Sequence, residues 1–164
     1  YVSTHEYPHY PGSGRIDETG AGPGKGSTVN IPLPHRTGDS GYRACMDEII
    51  IPVLRRFRPM VILVSVGFDG HDEDYLAGMS LTLTGYDRLC ESLVEMAKEL
   101  CGGRIVFTLE GGYNPDVLGP GCGNIVRALL GDPERDYPLS AGSSFETDVR
   151  YVIDAVKRIH GLDS

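Results

Sequence analysis

Two short apolar runs, Met60–Val66 and the stretch from Arg104 to Leu109, constrain this chain more than any other feature. Both are too short and too rich in Val, Ile and Leu to read as helices. Their length and flanks predict strands of a parallel sheet covered on both faces. Between them, Tyr86, Leu89, Cys90, Leu93, Met96, Ala97 and Leu100 recur at three- and four-residue spacing, which predicts a helix. Thr84 and Asp87 fit a capping pattern at its start, and Gly102 and Gly103 end it. A strand, a crossover helix and a second strand make a parallel unit. The predicted fold class is therefore α/β, with three layers and a mostly parallel sheet flanked by helices.

The rest of the chain extends this pattern. A short strand near residues 1–4 opens a loop-rich start that runs to residue 35, and Val29–Leu33, closed by Pro32 and Pro34, is a second strand. Tyr42, Cys45, Met46, Ile49, Ile50, Val53, Leu54 and Phe57 predict a helix from about Ser40 to Phe57, kinked or broken at Pro52. Asn114-Pro115 reads as the cap and first position of a helix toward Leu130, interrupted at Gly119-Pro120-Gly121. A polar connection over 133–145 leads to a last helix from about Thr147 to His160, with Val149, Val152, Ile153, Val156 and Ile159 inward. At 164 residues the whole is expected to be one domain: a start over 1–35, an α/β core over 36–132 and a C-terminal connection and helix over 133–164.

Several function classes drop out. A net charge of −8 argues against a nucleic-acid surface and leaves room for a cationic substrate. No apolar run approaches the roughly 18–20 residues needed to span a bilayer. Gly20, Gly22, Gly24 and Gly26 lead into a strand and not into Gly-Lys-Ser/Thr and a helix, so they do not form a phosphate loop. No Gly-x-Gly-x-x-Gly follows a strand, which disfavours a dinucleotide binder. Cys45, Cys90, Cys101 and Cys122 form no Cys-x-x-Cys pair and read as reduced, mostly buried thiols of a cytoplasmic protein.

In parallel α/β sheets, ligands sit beyond the carboxyl ends of strands. The first run ends in Gly67-Phe68-Asp69-Gly70-His71-Asp72-Glu73-Asp74, and the second in Glu110-Gly111-Gly112-Tyr113-Asn114. Asp69, walled by apolar residues, would ionise readily only beside a cation such as a divalent metal. The plainer reading is a solvated acidic loop that caps the next element. Tyr113, behind two glycines, could donate to an oxyanion, or could simply pack a strand–helix corner. His5, His9 and His35 read as loop residues with surface or packing roles. His160 falls in a last helical turn, where a cation suits the dipole.

Taken together, Val2-Ser3-Thr4-His5, Tyr10-Pro11-Gly12-Ser13-Gly14, Val29–Leu33, Gly67-Phe68-Asp69 with Asp74, and Leu109–Asn114 resemble the zinc-dependent deacetylases. This is the histone deacetylase and acetylpolyamine amidohydrolase superfamily, with its arginase-like fold. The resemblance runs from Val2 to about Asp132. It implies that Asp69 is a zinc ligand and that Tyr113 polarises the acetyl carbonyl of an acetylated amine. It places Tyr10, Leu76 and Gly111 along the substrate tunnel, and Ser3 and Thr4 at a structural potassium site. Tyr75 departs from the pattern, which has proline there.

The larger departure is the lack of the family's other Asp-x-His zinc motif and of its adjacent His-His pair. The chain thus resembles the C-terminal half of such an enzyme, and its strand-like start without Met suits a piece of something longer. One expectation is a deacetylase portion that is inactive alone, because catalytic zinc takes three protein ligands. The alternative is a non-catalytic half-domain used in binding or assembly. Either would leave a sheet edge open to a missing N-terminal half or to self-association.

Overall fold

The computed structural model describes residues 1–138 and 145–162. The chain is α/β with parallel strands flanked by helices, as the pattern predicts. Strand β1 (Val2–Glu6) pairs in parallel with β2 (Val29–Leu33), from Val2 opposite Val29 to Glu6 opposite Leu33. Strand β3 (Ile62–Val66) pairs in parallel with β4 (Ile105–Leu109), from Ile62 opposite Ile105 to Val66 opposite Leu109. Among the described residues these form two separate two-stranded pieces and not one sheet. The segment after β3 links them: Ser80 N–H donates to Thr37 O at 2.9 Å, Arg36 N–H to Gly78 O at 2.7 Å, and Gly78 N–H to Glu6 Oε2 at 2.9 Å.

Helix α1 (Asp39–Cys45), a π-turn (Met46–Ile50) and α2 (Ile51–Phe57) form one helical run. Of the expected kink or break at Pro52 the break does not occur; the irregularity lies in the π-turn just upstream. A proline ring normally collides with the carbonyl four residues earlier, and the wider π-turn immediately upstream gives that carbonyl room. Helix α3 (Leu83–Cys101) is capped two residues earlier than the Thr84 pattern implies. Its cap is Thr82, whose hydroxyl accepts from Gly85 N–H at 3.1 Å and donates to Asp39 Oδ2 at 2.7 Å. Gly102 closes it at φ 62°, as predicted.

Helix α4 (Pro115–Leu130) is capped by Asn114 as predicted, but Gly119-Pro120-Gly121 does not interrupt it. Pro120 lies inside the helix, and Gly119 just before it has no Cβ to meet the ring. Gly121 is also required by packing, since a Cβ there would collide with the Phe68 ring. Helix α5 (Arg150–His160) starts after Val149 and buries Val152, Ile153 and Val156. Ile159, expected inward, is exposed in the last turn. The 139–144 part of the predicted 133–145 connection lies outside the described residues.

The main core gathers Ile31 and Leu33 of β2, Ile49, Phe68, Leu81, Leu83, Val117, Ile153 and Val156. Each such side chain contributes about 1.5–3 kcal/mol on burial. A smaller cluster of Ile62, Met96, Ala97 and Cys101 joins β3 to α3. The other face of the β3–β4 pair is bare: Leu63 is 74% exposed and Val106 50%. This corrects the expectation of strands covered on both faces. Their apolar sequence is that of a two-sided strand, but among the described residues helices cover only one side.

Candidate active site

Because β3 and β4 are in level register, their ends leave the sheet side by side. The ladder continues beyond the strands: Glu110 N–H donates to Val66 O at 3.0 Å, and Phe68 N–H to Gly111 O at 3.0 Å. The Asp69 loop and the Glu110–Asn114 loop are thereby brought together, as the strand-end rule predicts.

Asp69 sits in a 3-10 turn (Phe68–Gly70). The turn is anchored by Phe68, which is buried against Tyr86 with ring centroids 4.9 Å apart. The Asp69 carboxylate is half-buried and lies against the backbone of the neighbouring loop; a Cβ on Gly111 would stand 2.8 Å from Asp69 Oδ2. A side chain at 111 would therefore push the Asp69 carboxylate aside. Among the described residues, no side-chain hydrogen bond or ion pair to Asp69 occurs, which leaves its oxygens available. It is nonetheless a single donor: no three His, Cys, Asp or Glu side chains cluster in a way that could hold a metal ion among the described residues. The donors described in this chain do not complete a zinc centre.

Tyr113 is exposed, and its ring lies 6.4 Å from that of Tyr75 at 54°. Its backbone is fixed by Asp74, a buried carboxylate whose Oδ2 accepts from Tyr113 N–H at 2.7 Å and whose Oδ1 accepts from Leu76 N–H at 2.9 Å. Asn114 Nδ2 donates to Glu73 O at 3.0 Å, a second tie between the same loops. Leu76 is exposed at the same rim. Sequence reasoning gave Asp74 no role, although an aspartate two residues before the amide it holds is a turn signal.

His71 is fully buried, and its Nδ1 accepts from Glu73 N–H at 3.1 Å. Among the described residues its Nε2 has no hydrogen-bond partner. Burial pulls the His71 pKa below the ordinary histidine value and pushes Asp72, 3.1 Å from Nδ1, above the ordinary aspartate value. Both shifts have burial as their largest cause, which disfavours the charged form of each group.

The remaining candidates lie elsewhere. Tyr10 is on the loop after β1, and among the described residues it makes no ring contact with Tyr113 or Tyr75. Ser3 and Thr4 are in β1. His5 is also in β1 and not in a loop; its ring bridges Ser3 Oγ and the Gly14 carbonyl, each at 2.9 Å. That makes it a packing residue that holds the loop carrying Tyr10. A 480 Å³ depression is lined by Asp39, Arg43, Asp47, Arg88 and Glu95 among others, and by neither Asp69 nor Tyr113. No described helix is long and apolar enough to cross a membrane.

Comparison with known proteins places this geometry. The profile of the histone deacetylase domain matches residues 1–129. Histone deacetylase 10, chloroplastic, of Oryza sativa is 42% identical over 166 residues, covering 99% of this chain and 38% of that protein. A probable deacetylase of Archaeoglobus fulgidus is 40% identical over 171 residues, covering 98% of this chain and 48% of that protein. The structure of the histone deacetylase Clr3 superposes with a TM-score of 0.83 at 31% identity, over 98% of this chain and 27% of that one. The chain thus spans less than half the length of these relatives.

Proposed function

The chain belongs to the histone deacetylase family, and on that premise we propose that it forms the carbonyl-facing wall of a zinc-dependent deacetylase that hydrolyses acetylated amines. The observation that carries this reading is the pairing of Asp69 and Tyr113 on adjacent, level strand ends, tied by the ladder and by Asp74. The Tyr113 phenol is the donor to the acetyl oxygen as that oxygen gains charge, an interaction that strengthens toward the transition state. Asp69 is one metal ligand. The other ligands and the base that accepts the water's proton would come from polypeptide beyond these 164 residues, so the chain by itself is inactive.

The test mixes the purified chain, with zinc, with the part of the Archaeoglobus relative that precedes the matched region. Substrates are an acetyl-lysine peptide and a monoacetylated diamine. No turnover is expected from the chain alone. Turnover is expected from the mixture, lost in Tyr113→Phe and Asp69→Asn. Turnover by the chain alone, or activity that survives Tyr113→Phe, overturns the reading. The bare β3–β4 face favours a second reading, a half-domain that acts in assembly, which stable complex formation without turnover would support.

A further inference from the structure

We propose that Asp74 and Tyr75 together position Tyr113, Asp74 by fixing its backbone and Tyr75 by bracing its ring. The inference rests on the reading of Tyr113 as the carbonyl-facing residue. Asp74 is only 7% exposed, and its two carboxylate oxygens serve two loops, one binding Tyr113 N–H and the other Leu76 N–H. One buried carboxylate therefore sets the spacing between the exposed Tyr113 and Leu76. N–H donors to a carboxylate are among the stronger hydrogen bonds, and burial protects them from water.

The tether is needed because of what flanks Tyr113. Gly112, just before it, has φ of 118°, a conformation of low intrinsic preference for residues with a Cβ and an easy pivot for glycine. Asn114, just after it, is occupied at both ends of its amide, capping α4 through Asp116 N–H at 3.0 Å and donating to Glu73 O. Tyr113 thus sits between a pivot and an anchor, and Asp74 stops rotation at the pivot.

The ring needs a separate constraint. Tyr75 is 73% exposed, so burial does not account for an aromatic residue there. Its tilted contact with Tyr113 falls in the range where aromatic pairs attract. Proline, the residue that the resemblance places at this position, has no ring to offer. Tyr75 thus offers a brace that proline could not, and it limits the rotamers open to the Tyr113 phenol.

Solution NMR on the chain tests both halves. In the unaltered chain, inter-ring NOEs between Tyr75 and Tyr113 and slow exchange of the Tyr113 amide are expected; absence of both overturns the proposal. Asp74→Ala should abolish the amide protection and the NOEs while leaving the Phe68 and Val117 resonances in place. Asp74→Asn keeps one oxygen acceptor and should retain protection at one of the two amides. Tyr75→Ala should remove the ring-current shift from Tyr113 but keep its amide protected, and Tyr75→Phe should restore the shift. Unchanged Tyr113 signals in folded Asp74→Ala, or in Tyr75→Ala, overturn the corresponding half. If Asp74→Ala does not fold, Asp74→Asn decides: loss of protection at one of the Tyr113 and Leu76 amides supports the tether, and full protection at both overturns it. In the reconstituted mixture, Asp74→Asn and Tyr75→Ala should lower kcat about tenfold with KM little changed. A mixture inactive in every form would defeat the deacetylase reading, while the NMR result would still decide the positioning.

Discussion

Arg135 Nε donates to Asp87 Oδ1 at 2.6 Å, with the two side chains 9% and 5% exposed, so the segment after α4 is fastened to α3 by a nearly dry ion pair. Tyr137 donates from its hydroxyl to the other Asp87 oxygen at 2.7 Å. Removing Asp87 takes the acceptor from both Arg135 Nε and the Tyr137 hydroxyl, but Arg135 keeps Glu91 as an ion-pair partner at 2.6 Å. Asp87→Ala should therefore cost about 2–3 kcal/mol, two lost charge-assisted bonds without a fully stranded charge, whereas Tyr137→Phe should cost about 1 kcal/mol. Urea denaturation followed by circular dichroism measures both, and equal losses would contradict this account.

The contact of Gly121 with the Phe68 ring predicts the next result. A methyl at 121 has no space, so Gly121→Ala should destabilise by about 1–3 kcal/mol despite alanine's better helix propensity. Because Phe68 precedes Asp69, the same variant should shift the Asp69 resonances. Gly119→Ala, where nothing lies within 4 Å of the new methyl, should be neutral or stabilising.

Glu48 accepts from Arg150 Nη1 and Nη2 at 2.8 and 2.7 Å and from Lys157 Nζ at 3.2 Å, tying the π-turn to α5. The Arg150 hydrogen bonds lead in lowering its pKa from 4.5 to about 2. A carboxylate whose folded value lies below its unfolded value stabilises fully above the unfolded one. That contribution fades as pH falls from 4.5 toward 2. The stability curves of the unaltered chain and Glu48→Gln should therefore be separated at pH 7 and converge by pH 2. A separation that persists at pH 2 would exclude this pairing as its cause.

Burial pushes the thiols of Cys45 and Cys90 up to about 12. Neither supplies thiolate near pH 8, and neither is accessible. Iodoacetamide at pH 8 should label the half-buried Cys122 first, with Cys45 and Cys90 reacting only after unfolding. Peptide mapping by mass spectrometry reads the order.

The uncovered face of β3–β4 predicts self-association of the isolated chain. Leu63→Lys places a charge where no side chain is buried, and it should raise the soluble monomer fraction in light scattering without lowering stability. A clean monomer in the unaltered chain would count against the face being adhesive.

Local signals carried the strand–helix order, Gly102, Asn114 and the placement of Asp69 and Tyr113, because strand-end positions and caps depend on near neighbours in sequence. What escaped depended on partners far away in the chain. Thr82 displaced Thr84 as the cap because Asp39 reaches it from another helix. Pro52 and Pro120 were tolerated because a π-turn and Gly119 made room. Whether β3 is covered on one side or both is a fact about neighbouring strands, and its own letters cannot carry it. Asp74 was visible as part of a motif, but its bond to Tyr113 spans 39 residues and is a product of folding.

The level register of β3 and β4, Val66 opposite Leu109, makes the separation of Asp69 and Tyr113 a quantity counted in whole residues. Inserting or deleting one residue in either strand turns every side chain beyond it to the opposite face. Point substitutions on the exposed face of these strands leave that spacing intact, but changes of length do not. The two loops can alter their chemistry one residue at a time, and their spacing only if both strands change together.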